Sequence, residues 1–377
     1  MRISEVVAAG DRFSAEFCFE RRDLGAFTGF IDSPAVVAEP AAFLLAAWLP
    51  SWALGETRIT IEGPVCPVLL ANLQVAGGVL KGWFRDFPPL PRIECDMQSR
   101  PPSGRRAAFL SGGVDSLSMI RELAGGIDTA ILLDYQSIEG VEAEETEARF
   151  RQRVEICRAI SDGIGLELWP VRTNLRRLNS SMGFWMHRWH GSFLAAMAHG
   201  LDVQEVSIAS TYDATNLERW GSHPLLDPYY SSARLNVRHY GLHQSRLDKV
   251  RSLADWPLAL DLMYVCTSRE SGGSNCGKCE KCIRTRLELT VLGLKSSAFP
   301  PGDVTLEELQ KIDIASNYAW SCYNDILPLL RSQGRDDLAA ALMKKKPPAP
   351  SALSRGMKYA TDVLRSRLAG WRSAAFD

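Results

Sequence analysis

No apolar stretch of this 377-residue chain is long enough to cross a bilayer. The densest run, Ala41 to Leu49, is closed at its two ends by Pro40 and Pro50, so no transmembrane segment is expected. The opening "MRISEVVAAGDRF" also lacks the apolar core of a signal peptide. An excess of one charge is missing too. With 43 Lys and Arg against 44 Asp and Glu, the formal net charge is -1, and no global positive field is available to hold nucleic acid by counterion release. None of the six histidines belongs to an HExxH metal motif, and no internal repeat is present.

Cysteine, by contrast, is plentiful. Of the nine, Cys18, Cys66, Cys95, Cys157 and Cys322 are scattered singles, while Cys266, Cys276, Cys279 and Cys282 form one tight set. An odd total without a secretion signal predicts reduced thiols and a cytoplasmic protein. The tight set has the spacing C-x9-C-x2-C-x2-C, which gives zinc a closed tetrahedral shell of soft ligands and points to a structural metal. A redox dithiol would need only two of these residues.

Along the chain, residues 1 to 100 read as a small β-rich module. "TRITIE" at 57 to 62 alternates, and "NLQVAGGVLKGWF" at 72 to 84 reads as two strands around Gly77 and Gly78. Proline-rich breaks at 87 to 91 and 99 to 106 mark a boundary. Residues 105 to 300 then alternate short apolar runs (107–110, 129–134, 166–171, 205–210) with helical patterns. That rhythm predicts an α/β fold with a doubly wound parallel sheet, whose ligands sit at the carboxyl ends of the strands. Residues 301 to 377 read as a helical extension ending in a tail with Lys358, Arg365, Arg367 and Arg372. The tail suits a solvated terminal helix, with a membrane surface or an acidic partner as the alternatives.

"AAFLSGGVDSLSM", residues 107 to 119, places a glycine loop after a strand and before a helix, where free amides and the helix dipole favour an anion. It is no Walker loop, because no lysine lies within it, and no dinucleotide fingerprint, because the third glycine is missing. Ser111, Gly112, Gly113, Val114, Asp115 and Ser116 spell Ser-Gly-Gly-x-Asp-Ser, which resembles the signature of the PP-loop ATP pyrophosphatases. Taken with the later four-cysteine site, residues 105 to 295 resemble the cyano-deazaguanine synthases of the queuosine pathway and their wider group.

The resemblance implies a PP-loop type of sheet and ATP with magnesium as cofactors. The loop amides and the Ser111 and Ser116 hydroxyls would hold pyrophosphate, Asp115 would help place magnesium, and Asp134 with Tyr135 would lie near adenine. Asp115, Ser116 and Ser111 are the catalytic candidates. A substrate carboxylate would be adenylated with loss of pyrophosphate, and amide or nitrile-type bond formation would follow. The alternatives are epimerisation of a glutamyl group, as in a related peptidoglycan-precursor enzyme, modification of a tRNA base or protein terminus within a complex, and a nucleotide-sensing module without catalysis. A small-molecule carboxylate is the expected partner, with a protein partner or a homodimer left open.

The substrate candidates lie between the two motifs. All six histidines fall between 187 and 243, among them His187, His190 and His223. The loop "STYDATNLERWGSHPLLDPYYSS", 210 to 232, adds Tyr212, Asp213, Arg219 and Asp227 after a strand end, and Arg238 follows. Either arginine would suit a carboxylate. An ordinary packed loop remains the alternative.

Overall fold

Ten strands form a single sheet in the computed structural model, which describes residues 1–20, 25–134, 143–266 and 274–348. The strands are β1 (Arg2–Ala9), β2 (Arg12–Cys18), β3 (Ala26–Asp32), β4 (Arg58–Val65), β5 (Arg92–Met97), β6 (Arg105–Phe109), β7 (Thr129–Asp134), β8 (Glu167–Thr173), β9 (Val203–Ala209) and β10 (Asn236–Tyr240). Between and after them run helices α1 (Ala41–Leu54), α2 (Pro67–Trp83), α3 (Val114–Leu123), α4 (Ala143–Asp162), the single turn α5 (Met182–Phe184) and α6 (His190–His199). The remainder are α7 (Arg246–Arg251), α8 (Pro257–Leu262), α9 (Glu280–Val291), α10 (Leu306–Lys311), α11 (Asn317–Ser332) and α12 (Asp336–Lys344).

The order across the sheet is β10-β9-β6-β7-β8-β3-β2-β1-β4-β5. Within the run β10 to β8 every neighbouring pair is parallel, and the chain starts in the middle, at β6, before building outward on both sides. This reversal makes the gap between β6 and β9 a topological switch point, where ligands of such sheets bind. The glycine loop leaves β6 at that gap.

The first 100 residues extend this sheet, with β3 pairing antiparallel to β8. Ile31 lies opposite Thr173 and Asp32 opposite Arg172, and Thr173 donates to the Phe30 carbonyl at 2.6 Å. The Asn174 side chain accepts from Phe30 N and donates to the Thr28 carbonyl, closing the seam.

Two expectations about this region need correcting. It carries two helices as well as strands, and 72–84 is no hairpin but most of α2. Pro67 at the first turn starts that helix, and Leu69, Leu73, Ala76 and Leu80 recur at helical spacing on its buried face. Gly77 is there for close approach, since a Cβ on it would meet Leu90 Cδ1 at 2.8 Å. The longest apolar run becomes α1, with Ala41 to Leu49 at most 1% exposed, which is how a helix apolar all round is accommodated.

One core cluster joins α1 and α6 to one face of the sheet, a second joins α3 and α8 to the other, and a third unites α9 with α10, α11 and α12. Among the described residues no helix is long and apolar enough to cross a membrane. The basic tail and Tyr135 lie outside the described residues.

Candidate functional site

The loop after β6 is shaped by its own hydroxyls. Ser111 N donates to Ser116 Oγ at 3.2 Å, Ser116 Oγ donates to the Gly113 carbonyl at 2.9 Å, and Gly113 N donates to Ser111 Oγ at 3.4 Å. Gly112 has φ +78, the left-handed conformation that glycine adopts without strain, and its carbonyl accepts from Tyr264 N at 2.8 Å. Gly113 is the N-cap of α3 with no side chain capping the helix, so the amides of its first turn keep their capacity for an anion.

Asp115 stands in that first turn, surrounded by cations. Lys249 Nζ lies 3.1 Å from Asp115 Oδ1 and donates to the Ser210 carbonyl at 2.6 Å. The Arg246 guanidinium is 3.7 Å from the same carboxylate oxygen, and also pairs with Glu288 at 3.2 Å and donates to Thr285 Oγ1 at 3.0 Å. Arg284 and Lys281, both on α9, are within electrostatic reach of Asp115. Burial would raise the Asp115 carboxyl, but Lys249, Arg246 and Arg284 together outweigh it and hold the group below the usual carboxylate range. Glu288, wholly buried, is pushed up by desolvation against the pull of Arg246 and Arg284. Its Oε1 and Arg284 Nε are buried without a hydrogen-bond partner among the described residues.

Helix α11, in the carboxyl-terminal extension, closes one side. Tyr318 donates to the Thr211 carbonyl at 2.7 Å and lies under the Arg284 guanidinium, 5.8 Å from its ring centre. Its ring also meets Tyr212 at 4.6 Å, Tyr212 meets Trp220 at 5.8 Å, and Trp220 meets His187 and His190 at 5.0 and 5.9 Å. A wall of aromatic rings thus runs from the cationic cluster to the histidines.

At its far end, Asp227 is fully buried. It accepts from Ser222 Oγ at 2.6 Å, from His223 N at 3.3 Å and from the His239 ring at 2.8 Å. His190 hydrogen-bonds the Trp185 carbonyl, and burial pushes its pKa down to about 4, so it is neutral at neutral pH. His223 Nδ1 accepts from Leu225 N, its ring packs on Trp83, and burial lowers its pKa as well.

Other sequence candidates sit elsewhere. Asp213 is occupied in its own turn, accepting from Thr215 and Asn216; these bonds override burial and lower its pKa. Arg219 is exposed and donates to the Trp83 carbonyl at 2.9 Å. Arg238 is exposed on the edge strand β10 and paired with Glu205 at 3.0 Å. Asp134 ends β7 and faces Arg172 at 3.6 Å.

The four cysteines converge. Their sulfurs all lie within 4.8 Å of one another, with Cys266 to Cys279 and Cys276 to Cys282 both at 3.9 Å. Four thiolates around a tetrahedral zinc, each bond about 2.3 Å long, stand ~3.8 Å apart, so the set could hold a metal ion such as zinc. Lys278 N and Cys279 N donate to Cys276 Sγ, and Gly277, at φ +72 and against Pro300, makes the turn. The hydrogen bond with Cys279 and then burial drive the Cys282 thiol far above its usual range, which a bound dication reverses by displacing protons.

Asn275 ties this centre to the loop. Its Oδ1 accepts from Val265 N and Cys266 N, its Nδ2 donates to the Met263 and Ala298 carbonyls, and the intervening Tyr264 holds Gly112. All nine cysteines are free of disulfides.

Arg246, Lys249, Arg284, Lys281, Tyr318 and Asn275 are absent from the sequence-based candidates. "SRLDKVR" at 245 to 251 carried the one local hint: a Ser245–Asp248 capping box that fixes a short helix with Arg246 and Lys249 one turn apart. Fold and site define an α/β chain with a glycine loop at the switch point, a cationic surround and a four-cysteine centre. No family model matches the chain, and no curated protein or solved structure is significantly similar to it.

Proposed function

We propose that this protein is an enzyme that spends ATP to adenylate the carboxylate of a small molecule, releasing pyrophosphate. The acyl-adenylate then passes its acyl group to a nitrogen nucleophile, in amide or nitrile-type bond formation. The observation that carries this reading is the Ser111–Ser116 loop. Its open helix N-terminus and its aspartate are surrounded by Lys249, Arg246, Arg284 and Lys281, four cations in a chain of net charge -1. Concentrated positive charge beside free amides suits a polyphosphate, and positioning with charge neutralisation is most of what phosphoryl chemistry asks of a protein.

In this reading the amides of Gly112, Gly113 and Val114 hold the leaving pyrophosphate. Ser111 and Ser116 keep the loop in shape, and Lys249 with Arg246 offset the charge that collects as the α-phosphate bond breaks. Asp115 is the residue that would hold magnesium, a metal that would supply charge neutralisation for the leaving group. Asp134 lies on the adenine side. The four-cysteine centre is a structural zinc site that steadies α9, the helix carrying Arg284 and Lys281.

The test is AMP and pyrophosphate formation from ATP, magnesium and mixed carboxylic acids. Asp115→Ala is expected to lower it at least ~100-fold while thermal unfolding stays cooperative. AMP formation by that variant at the wild-type rate would remove Asp115 and the loop from the reaction.

A further inference from the structure

We propose that His239, oriented by Asp227, is a catalytic base of this protein: it takes the proton from the nitrogen nucleophile that attacks the adenylated carboxylate. The inference deepens the adenylation reading and rests on it. No motif announces this residue. His239 lies on β10, its side chain 3% exposed, and its Nδ1 stands 2.8 Å from Asp227 Oδ2. A carboxylate accepts only, so Nδ1 carries the hydrogen and Nε2 carries the lone pair. Nε2 is buried and has no hydrogen-bond partner among the described residues.

Buried polar atoms are nearly always satisfied, and leaving one unpaired costs about 1–3 kcal/mol. A buried acceptor nitrogen, held in one tautomer and left open, is arranged to receive a proton from a ligand. The support behind the ring is equally specific. Asp227 is completely buried, and Ser222 Oγ donates to the same oxygen at 2.6 Å, which fixes the carboxylate plane. Gly191 makes room for the group, since a Cβ there would fall 2.5 Å from Asp227 Oδ1.

The topology carries this base to the edge of the sheet where the phosphate loop lies. His239 pairs with Ile208, one strand over from β6. The next residue, Tyr240, accepts from Ser210 N at 2.7 Å, and the Ser210 carbonyl accepts from Lys249, the lysine on Asp115. Tyr318, Tyr212 and Trp220 form a continuous series of ring contacts that ends on His190, beside Asp227.

The step balances simply. The nitrogen lone pair forms a bond to the acyl carbon, the carbon–oxygen bond to the α-phosphate breaks, and its electron pair leaves with AMP. The proton lost by the attacking nitrogen goes to His239 Nε2, and the imidazolium is stabilised by the Asp227 carboxylate.

The experiment separates the two half-reactions in the zinc-loaded protein, with ATP, magnesium and a mixture of amino acids, dicarboxylic acids and heteroaromatic carboxylic acids. ATP–pyrophosphate exchange reports adenylation. Hydroxylamine traps the adenylate without needing a base, and ammonium chloride is the acceptor that needs one. For His239→Ala, exchange and hydroxamate formation are expected within ~3-fold of wild type, while ammonia-dependent AMP release falls ~100-fold or more. Added imidazole restores part of it, which a merely structural role does not allow. Asp227→Asn, close in shape to the native side chain, is expected to show the same split.

Ammonia-dependent turnover by His239→Ala at the wild-type rate overturns the proposal and leaves adenylation standing. Loss of exchange and ammonia turnover together, with no imidazole rescue, assigns His239 a packing role and also overturns it. Absence of exchange in the wild type overturns the adenylation reading, and this proposal with it.

Discussion

Two aspartates at one edge of the sheet are built in opposite ways. Asp115 is partly exposed and faces Lys249 and Arg246, whereas Asp227 is sealed from solvent and accepts hydrogen bonds from Ser222, His223 and His239. The first arrangement keeps a carboxylate ionised and concentrates positive charge beside the free amides at the start of α3. The second surrounds a carboxylate with dipoles in a medium of low dielectric, where moving a single proton changes local energies most. The difference suggests a division of labour between charge handling and proton handling, with an aromatic wall between them.

The largest expected effect separates the two regions physically. Removing the metal with a chelator, or with Cys279→Ser, takes away a binding energy of the order of 10 kcal/mol and the anchor at the start of α9. Hydrogen exchange is expected to accelerate across residues 280–332 and to leave 190–199, packed on α1, protected. Equal loss of protection in both segments would mean that the two regions are not independently supported.

Asp115→Asn is the next test, and it acts on the charged region alone. Lys249 is 2% exposed and loses its counter-ion, so a loss of about 3 kcal/mol is expected at pH 7 by denaturant unfolding. Because the folded pKa of Asp115 is depressed, its contribution is present above the usual carboxylate range and disappears as pH falls through the folded value. Wild type and variant should therefore converge as the pH falls below the ordinary carboxylate range and through that depressed value. A constant difference at every pH would show that charge is not the cause.

Histidine burial makes the smallest of the three effects, on the neutral side. His199 is fully buried against the Tyr230 carbonyl, and burial pushes its pKa down to about 3. The unfolded chain takes up a proton below about pH 6.5 that the folded protein refuses, so stability is lost between there and pH 3. The His199 share at pH 4.5 is roughly 2–3 kcal/mol. His199→Gln is expected to flatten the acid limb of a stability–pH curve by that amount, and an unchanged limb would contradict the assignment.

What the sequence revealed about these regions follows from how local each feature is. Ser111 to Ser116 and the four cysteines announce themselves because their geometry is made within a few residues, by Gly112 in a left-handed turn and by thiols two residues apart. The parallel half of the sheet is legible for the same reason, since each strand and helix carries its own period. Lys249 and Arg246 reach Asp115 across more than 130 residues, and no local pattern encodes that meeting. Gly77 and Gly78 mislead because glycine marks turns by default, whereas Gly77 serves packing against Leu90. The seam between β3 and β8 is equally long in range, which is why residues 1 to 100 read as a separate module and yet complete one sheet. His239 is the limiting case. Its importance rests on one buried oxygen and one open nitrogen, neither visible until the fold brings them together.

The most direct measurement is product analysis of ATP turnover by the zinc-loaded protein with magnesium and mixed carboxylic acids. AMP and pyrophosphate in equal amounts, dependent on one of the acids and lost in Asp115→Ala, is the expected result. ADP with inorganic phosphate, or AMP formed equally well by the variant, would contradict the account.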